Sequence, residues 1–272
     1  MFIVRARQFD DKIQAYIAEH PRASVINLGA GLDTTFYRVD NGLIHWYDLD
    51  LPAAIDFRRQ LLPEPDRVTY IAKSLLDPSW CKDINTEEGV FMIAGGIFMW
   101  FEKSQVQQFF SMLADNFPGG EIVCDVESKF EGWIEQLPPS QREEQRAAWA
   151  GTLKSLWDKA PRDKKDKLIA TITTSVKPGG TEWADFEAWW NQLSDKEAEI
   201  MWRDFMAAYG GVSGWAKLDD VNEFAKWDNR ITVLDRFPFY RNIPRESVSV
   251  EIRQFMDTFD RNKVMNIIHL RV

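Results

Sequence analysis

Residues 25–31, Val25-Ile26-Asn27-Leu28-Gly29-Ala30-Gly31, place a short apolar run directly before two glycines one residue apart. A strand ending in Gly-x-Gly lets a ligand approach the backbone without meeting a Cβ, close to the N-terminus of a following helix. A second segment, Trp46-Tyr47-Asp48-Leu49-Asp50, ends in an acid 21 residues beyond Gly29. An acid near the end of a second strand is where a ribose diol is held by charge-assisted hydrogen bonds. This spacing constrains the chain to strand, glycine turn, helix, strand, acid.

The rest of the chain extends that alternation. Apolar runs predict strands at 24–28, 43–48, 68–71, 90–93 and 121–124, each too short for a helix. Between them, Phe9, Ile13, Tyr16 and Ile17 recur at helical spacing, and Pro52 suits the first turn of a helix reaching about Leu62. Ser104 reads as the cap of a helix whose buried stripe holds Val106, Phe109, Phe110 and Leu113. Five strands alternating with helices predict a doubly wound, mostly parallel sheet.

Beyond residue 127 the pattern changes. Residues 128–214 read as a helical insertion with one weak strand near 169–175, and Ser194 with Glu197 forms a capping box. Eight of the twelve tryptophans fall between Trp133 and Trp215, enough to build a core or to wall a pocket. Residues 215–272 return to strands at 231–234 and 264–270 around a helix at 250–259. The expected organisation is therefore 1–127, 128–214 and 215–272.

Charge and composition remove several classes of function. With 33 Lys and Arg against 42 Asp and Glu, the net charge is -9, and such a surface repels nucleic acid and anionic membrane. Cys81 and Cys124 lie far apart with no His or Cys at ligand spacing, so reduced structural thiols and no metal are expected. No run of about 18 apolar residues is present, so the expected location is the cytoplasm; the oligomeric state is not legible.

The glycine turn and its acid are shared by sites for nicotinamide dinucleotides and for S-adenosylmethionine. The dinucleotide fingerprint requires a third glycine where this chain has Thr34. S-adenosylmethionine carries no pyrophosphate, so its site has no such requirement, and it is the expected cofactor. The residues Asn27-Leu28-Gly29-Ala30-Gly31-Leu32-Asp33-Thr34, Phe36-Tyr37-Arg38 and Tyr47-Asp48-Leu49-Asp50-Leu51-Pro52 also resemble the leucine carboxyl methyltransferase superfamily. Within it they are most similar to the bacterial tetracenomycin-type polyketide O-methyltransferases. The likeness runs through Tyr70 to Asp77, Phe91 to Phe101 and Trp227 to Phe239, covering roughly 4–127 and 215–272.

The resemblance implies a class I methyltransferase: a Rossmann-like, seven-stranded sheet, mostly parallel with an antiparallel closing strand, plus the helical insertion. It implies that Arg5 grips the cofactor's methionine carboxylate, with Arg7 close enough to compete. Gly29, Ala30 and Gly31 would line the cofactor, Asp50 and Leu51 would meet the ribose, and Ser74 and Leu75 would flank the adenine. The chain departs from the family at Gly95, where a Glu facing the cofactor is common; the loss is expected to remove a polar contact and enlarge the site. Relatives also carry a further helical segment ahead of the arginine, whereas Arg5 follows only four residues.

S-adenosylmethionine is an activated methyl donor, so the expected activity is methyl transfer to an oxygen of a small molecule, polyketide-like or aromatic, or of a carboxylate. A carboxylate acceptor needs no general base. His20, His45 and His269 sit in no recognised motif and read as structural, so no catalytic base is assigned. Met99 and Trp100, just past the fourth strand, fall on the rim where such sheets bind ligands. Trp189 and Trp190, adjacent on one helix, cannot both face inward by this reasoning, so one of them is expected to line an acceptor pocket or an interface. Two other functions fit parts of the pattern: a degenerate methyltransferase fold that binds without catalysis, and a nicotinamide-dependent oxidoreductase.

Overall fold

A computed structural model describes residues 2–127, 134–159, 162, 165, 183–209, 223–261 and 263–272. Helix α1 (Phe2–Glu19) precedes β1 (Ser24–Leu28), the short α2 (Phe36–Val39), β2 (His45–Asp50), α3 (Pro52–Leu61), β3 (Val68–Ala72), β4 (Val90–Ala94), α4 (Lys103–Asn116) and β5 (Glu121–Glu127). Helices α5 (Pro139–Lys159), α6 (Trp183–Trp190) and α7 (Asp195–Tyr209) follow. Then come α8 (Glu223–Trp227), β6 (Thr232–Pro238), α9 (Val250–Arg261) and β7 (Met265–Arg271).

The seven strands form one sheet in the order β3-β2-β1-β4-β5-β7-β6. The first five are parallel, and β7 runs antiparallel to both β5 and β6. The strand order reverses between β1 and β4, so a crevice opens at the carboxyl end of β1, where ligands bind in sheets of this kind.

Each face of the sheet is covered. Leu28, Leu49, Met92 and Cys124 pack with Phe109 and Phe110 of α4, Trp80 and Phe224 on one side. Val25, Trp46, Phe91 and Val123 pack with Phe9 and Ile13 of α1 and Met256 and Phe259 of α9 on the other. A strand buried on both faces reads as a mostly apolar run, which is why β1 and β4, buried at every position, were legible.

Three local expectations are corrected. Strand β2 starts at His45 rather than 43, because the Asn41 side chain accepts the N–H groups of Leu43 and Ile44 and holds them in a turn. Strand β5 continues to Glu127, since β7 pairs with it from Glu121↔Arg271 to Glu127↔Met265. Helix α4 begins at Lys103, and Ser104 is not its cap; the Gln105 side chain instead accepts the Glu102 N–H at 2.9 Å.

Residues of α5, α6 and α7 gather in a third core cluster. Trp189 and Trp190 are both buried there with Ile134, Leu153, Trp157 and Phe186, contrary to the expectation that one faces outward. Arg146 of α5 donates to the carbonyls of Trp190 and Leu193 and lays its guanidinium 5.7 Å from the Trp190 ring centre. Two ring systems about 100° apart both fit because α6 is embedded among these aromatics rather than lying on one flat face. The capping box forms as expected, Ser194 N–H donating to Glu197 and Glu197 N–H to the Ser194 hydroxyl. The weak strand expected at 169–175 lies outside the described residues. Among the described residues no helix is long and apolar enough to cross a membrane.

Candidate functional site at the glycine turn

Pairing of β1 with β2 does not stop at Leu28↔Leu49. The N–H groups of Gly29 and Ala30 both donate to the Leu49 carbonyl, at 2.8 and 3.2 Å, drawing the turn against the end of β2. Gly29 and Gly31 have φ of +70° and +48°, a region costly for any residue with a Cβ. Asp50 points at this turn: one carboxylate oxygen accepts the Gly31 N–H at 2.8 Å and the other the Leu51 N–H at 2.7 Å.

The two glycines serve different ends. A Cβ on Gly29 would meet Ile97 Cδ1 at 2.3 Å, so that glycine accommodates a side chain from the segment after β4. A Cβ on Gly31 would meet nothing within 4 Å. Only the second glycine opens onto free space, which refines the expectation that both clear room for a ligand.

Behind the turn lies a buried polar bracket. Asp48 and Arg58 form an ion pair at 2.7 Å, with side chains 0% and 2% exposed. The other Asp48 oxygen accepts from Asn27 Nδ2 at 3.0 Å and Trp46 Nε1 at 2.8 Å, and Arg58 Nη1 donates to the Gly31 carbonyl at 3.0 Å. Burial pushes the Asp48 carboxyl up from its usual range, against the pull of the Arg58 charge and the Trp46 and Asn27 hydrogen bonds.

In front of the turn is a cavity of about 600 Å³, lined among others by Arg5, Phe9, Asn27, Gly29, Ala30, Gly31, Arg38 and Gly95. Its volume is that of a small-molecule site. Arg5 reaches from α1 to Asp125 of β5 at 2.9 Å, and Asp125 also accepts the Gly96 N–H at 2.6 Å. The guanidinium lies across the diglycine: a Cβ on Gly95 would stand 3.1 Å from Arg5 Nε and from Phe9, and one on Gly96 2.5 Å from Arg5 Nη1. The expectation that Gly95 enlarges the site is thereby corrected, because Arg5 and Phe9 fill the space.

Gly96 has φ +68° as well, so Gly96→Ala combines backbone strain with displacement of Arg5 from Asp125. It is expected to lower stability by about 1–2 kcal/mol in urea denaturation, the scale of a left-handed alanine. An unchanged midpoint would contradict both the strain at Gly96 and the packing of Arg5 against it.

Arg5, Gly29, Ala30, Gly31 and Gly95 thus share one cavity, and Asp50 joins them through Gly31. Leu51 follows, with its side chain exposed. Ser74 and Leu75 follow β3; the Ser74 hydroxyl accepts the Leu76 N–H, while the Leu75 side chain packs in the core and its carbonyl accepts from Trp80. Met99 is half-buried, and exposed Trp100 folds back so that its indole N–H donates to the Gly96 carbonyl at 3.1 Å. Trp189 and Trp190 stand apart in the insertion core.

The histidines are held elsewhere: His45 by Thr69, His269 by Glu121, and His20 against the Tyr16 ring. Burial lowers the His45 pKa. Both cysteines are free and buried, with the Cys81 thiol pushed up to about 11 by burial. Among the described residues there is no group of three His, Cys, Asp or Glu that could hold a metal.

Asp48, Arg58, Asp125 and Ile97 were not singled out from the sequence. Two of them left a readable trace, since Asp48 and Asp125 are acids inside otherwise apolar strands, a place where a carboxylate needs a partner.

Residues 1–114 match the leucine carboxyl methyltransferase family model. The chain is similar to the tetracenomycin polyketide synthesis O-methyltransferase TcmP of Streptomyces glaucescens, 27% identical over 123 residues, which is 45% of this chain and 46% of the relative. The chain therefore matches about half the length of that curated relative. Among solved structures, a DUF574 family protein from Streptomyces avermitilis superposes with a TM-score of 0.55 at 10% identity, over 98% of this chain and 82% of the other. PKMT2 from Rickettsia typhi superposes with a TM-score of 0.47 at 12% identity, over 95% and 51%.

Proposed function

We propose, for a chain whose residues 1–114 match the leucine carboxyl methyltransferase family model, that the cavity at the end of β1 binds S-adenosylmethionine and that the protein is an O-methyltransferase. The observation that carries this reading is Gly31, open on its Cα side and held by its N–H on the carboxylate of Asp50. An adenosyl group laid against that glycine would bring its ribose hydroxyls to a carboxylate already aimed at the turn. The residues present fit the cofactor: a glycine without a neighbour, an acid for the diol, and Arg5 on the wall for a carboxylate.

When bound, S-adenosylmethionine supplies a sulfonium methyl with a good leaving group. The chain's own contribution is to hold the donor, exclude water and align an acceptor oxygen. The acceptor is proposed to be an oxygen of a small molecule, polyketide-like or aromatic, or of a carboxylate. Met99 and Trp100, beside the diglycine, are proposed to border the acceptor.

Isothermal titration tests the reading. Adenosylhomocysteine is expected to bind with one-to-one stoichiometry, and NAD is not. Absence of heat at millimolar adenosylhomocysteine contradicts it, and binding of NAD alone identifies an oxidoreductase. A second reading has one observation in its favour, the Arg5 charge already balanced by Asp125. On that reading the chain holds cofactor without transferring methyl, and binding persists while no small-molecule acceptor becomes labelled.

A further inference from the structure

Gly31 is held at both of its peptide groups. Asp50 takes its N–H, and Arg58, from the first helix after β2, donates to its carbonyl. Arg58 is not among the residues lining the cavity. Its guanidinium is locked from behind by the ion pair to Asp48, which in turn holds Asn27, a residue that does line it. The Arg58 guanidinium also lies 5.1 Å from the centre of the Tyr70 ring, so its plane is fixed on a further side.

We infer that Arg58 is a positioning residue for cofactor binding, setting the Gly31 peptide in the orientation that faces the adenosyl group. A guanidinium suits the task because its planar fork serves a carboxylate with one nitrogen and a carbonyl with another in one rigid geometry. A lysine could keep the charge pair with Asp48 but presents a single ammonium on a flexible stem. Without the second bond, the Gly31 peptide is tethered only through Asp50, the same carboxylate the ribose must share. Part of the binding free energy is then used to order the turn.

This inference rests on the proposed cofactor reading, and the experiment separates the two. Adenosylhomocysteine affinity, thermal midpoint and amide hydrogen exchange are measured for the wild-type protein and Arg58→Lys. The expected result is affinity weakened about tenfold, the worth of one charge-assisted hydrogen bond. The ion pair keeps the midpoint near wild type, and exchange rises at the Gly31 amide but not at β1 amides such as Leu28. Unchanged affinity in a folded Arg58→Lys overturns the inference while leaving the cofactor reading intact. So does exchange rising uniformly across β1 and β2, which marks a merely structural role. Absence of binding by the wild type overturns the cofactor reading itself. Should Arg58→Lys not fold, Asp48→Asn with Arg58→Gln removes both buried charges together and is read by the same outcomes.

Discussion

Asp50→Ala is expected to weaken adenosylhomocysteine binding by more than tenfold, a loss of about 1.4 kcal/mol or more in isothermal titration. Two effects add. A carboxylate receiving ribose hydroxyls makes charge-assisted hydrogen bonds, each worth roughly 1.5–3 kcal/mol where water is excluded. The same side chain organises the turn through the N–H groups of Gly31 and Leu51, so its loss also frees the backbone the adenosyl group rests on. Asp50→Asn separates them. The amide oxygen can still receive one of the two N–H groups but carries no charge, so its affinity should fall between wild type and the alanine variant. Affinity unchanged in Asp50→Ala would place the ribose elsewhere.

The largest loss of stability is expected from Asp48→Ala. It leaves the Arg58 guanidinium, 2% exposed, without its counter-charge, and removes the acceptor of Trp46 Nε1 and Asn27 Nδ2. Removing one partner of a buried ion pair costs about 3–5 kcal/mol, because an uncompensated charge stays behind. For a chain of this size the thermal midpoint should fall by roughly 10 °C. The pair is not thereby a large net gain, since burial pushes the Asp48 carboxyl up and so opposes its ionisation. Asp48→Leu with Arg58→Met, which removes both charges, should consequently be less destabilising than Asp48→Ala alone. A midpoint for Asp48→Ala within about 2 °C of wild type would contradict this account of the bracket.

Much of the scaffold was legible because its physics is local. The parallel strands are buried on both faces, so β4 appears as an unbroken apolar run and β1 as a mostly apolar one, and Pro52 marks where β2 hands over to α3. The approach of Asp50 to Gly31 was legible for a related reason: the two residues are close in the fold because their strands are neighbours.

What was not legible depends on contacts between distant segments. Arg58 reads as one basic residue in a surface helix until Asp48 and the Gly31 carbonyl are placed around it. Gly29 reads as room for a ligand until Ile97, from the far side of β4, is found against it. Gly95 reads as a missing glutamate until Arg5 is seen across it, paired with Asp125 120 residues away. Trp189 and Trp190 read as pointing to different sides of one helix until that helix is found embedded among aromatics, with both rings buried.

The open face of Gly31 is proposed to take an adenosyl group whose sugar reaches Asp50. A crystal structure with adenosylhomocysteine measures this directly. Nucleoside density is expected against Gly31, with ribose oxygens at hydrogen-bonding distance, about 2.6–3.0 Å, from the Asp50 carboxylate. Density for the nucleoside elsewhere, with Asp50 still bonded only to the Gly31 and Leu51 amides, would contradict it.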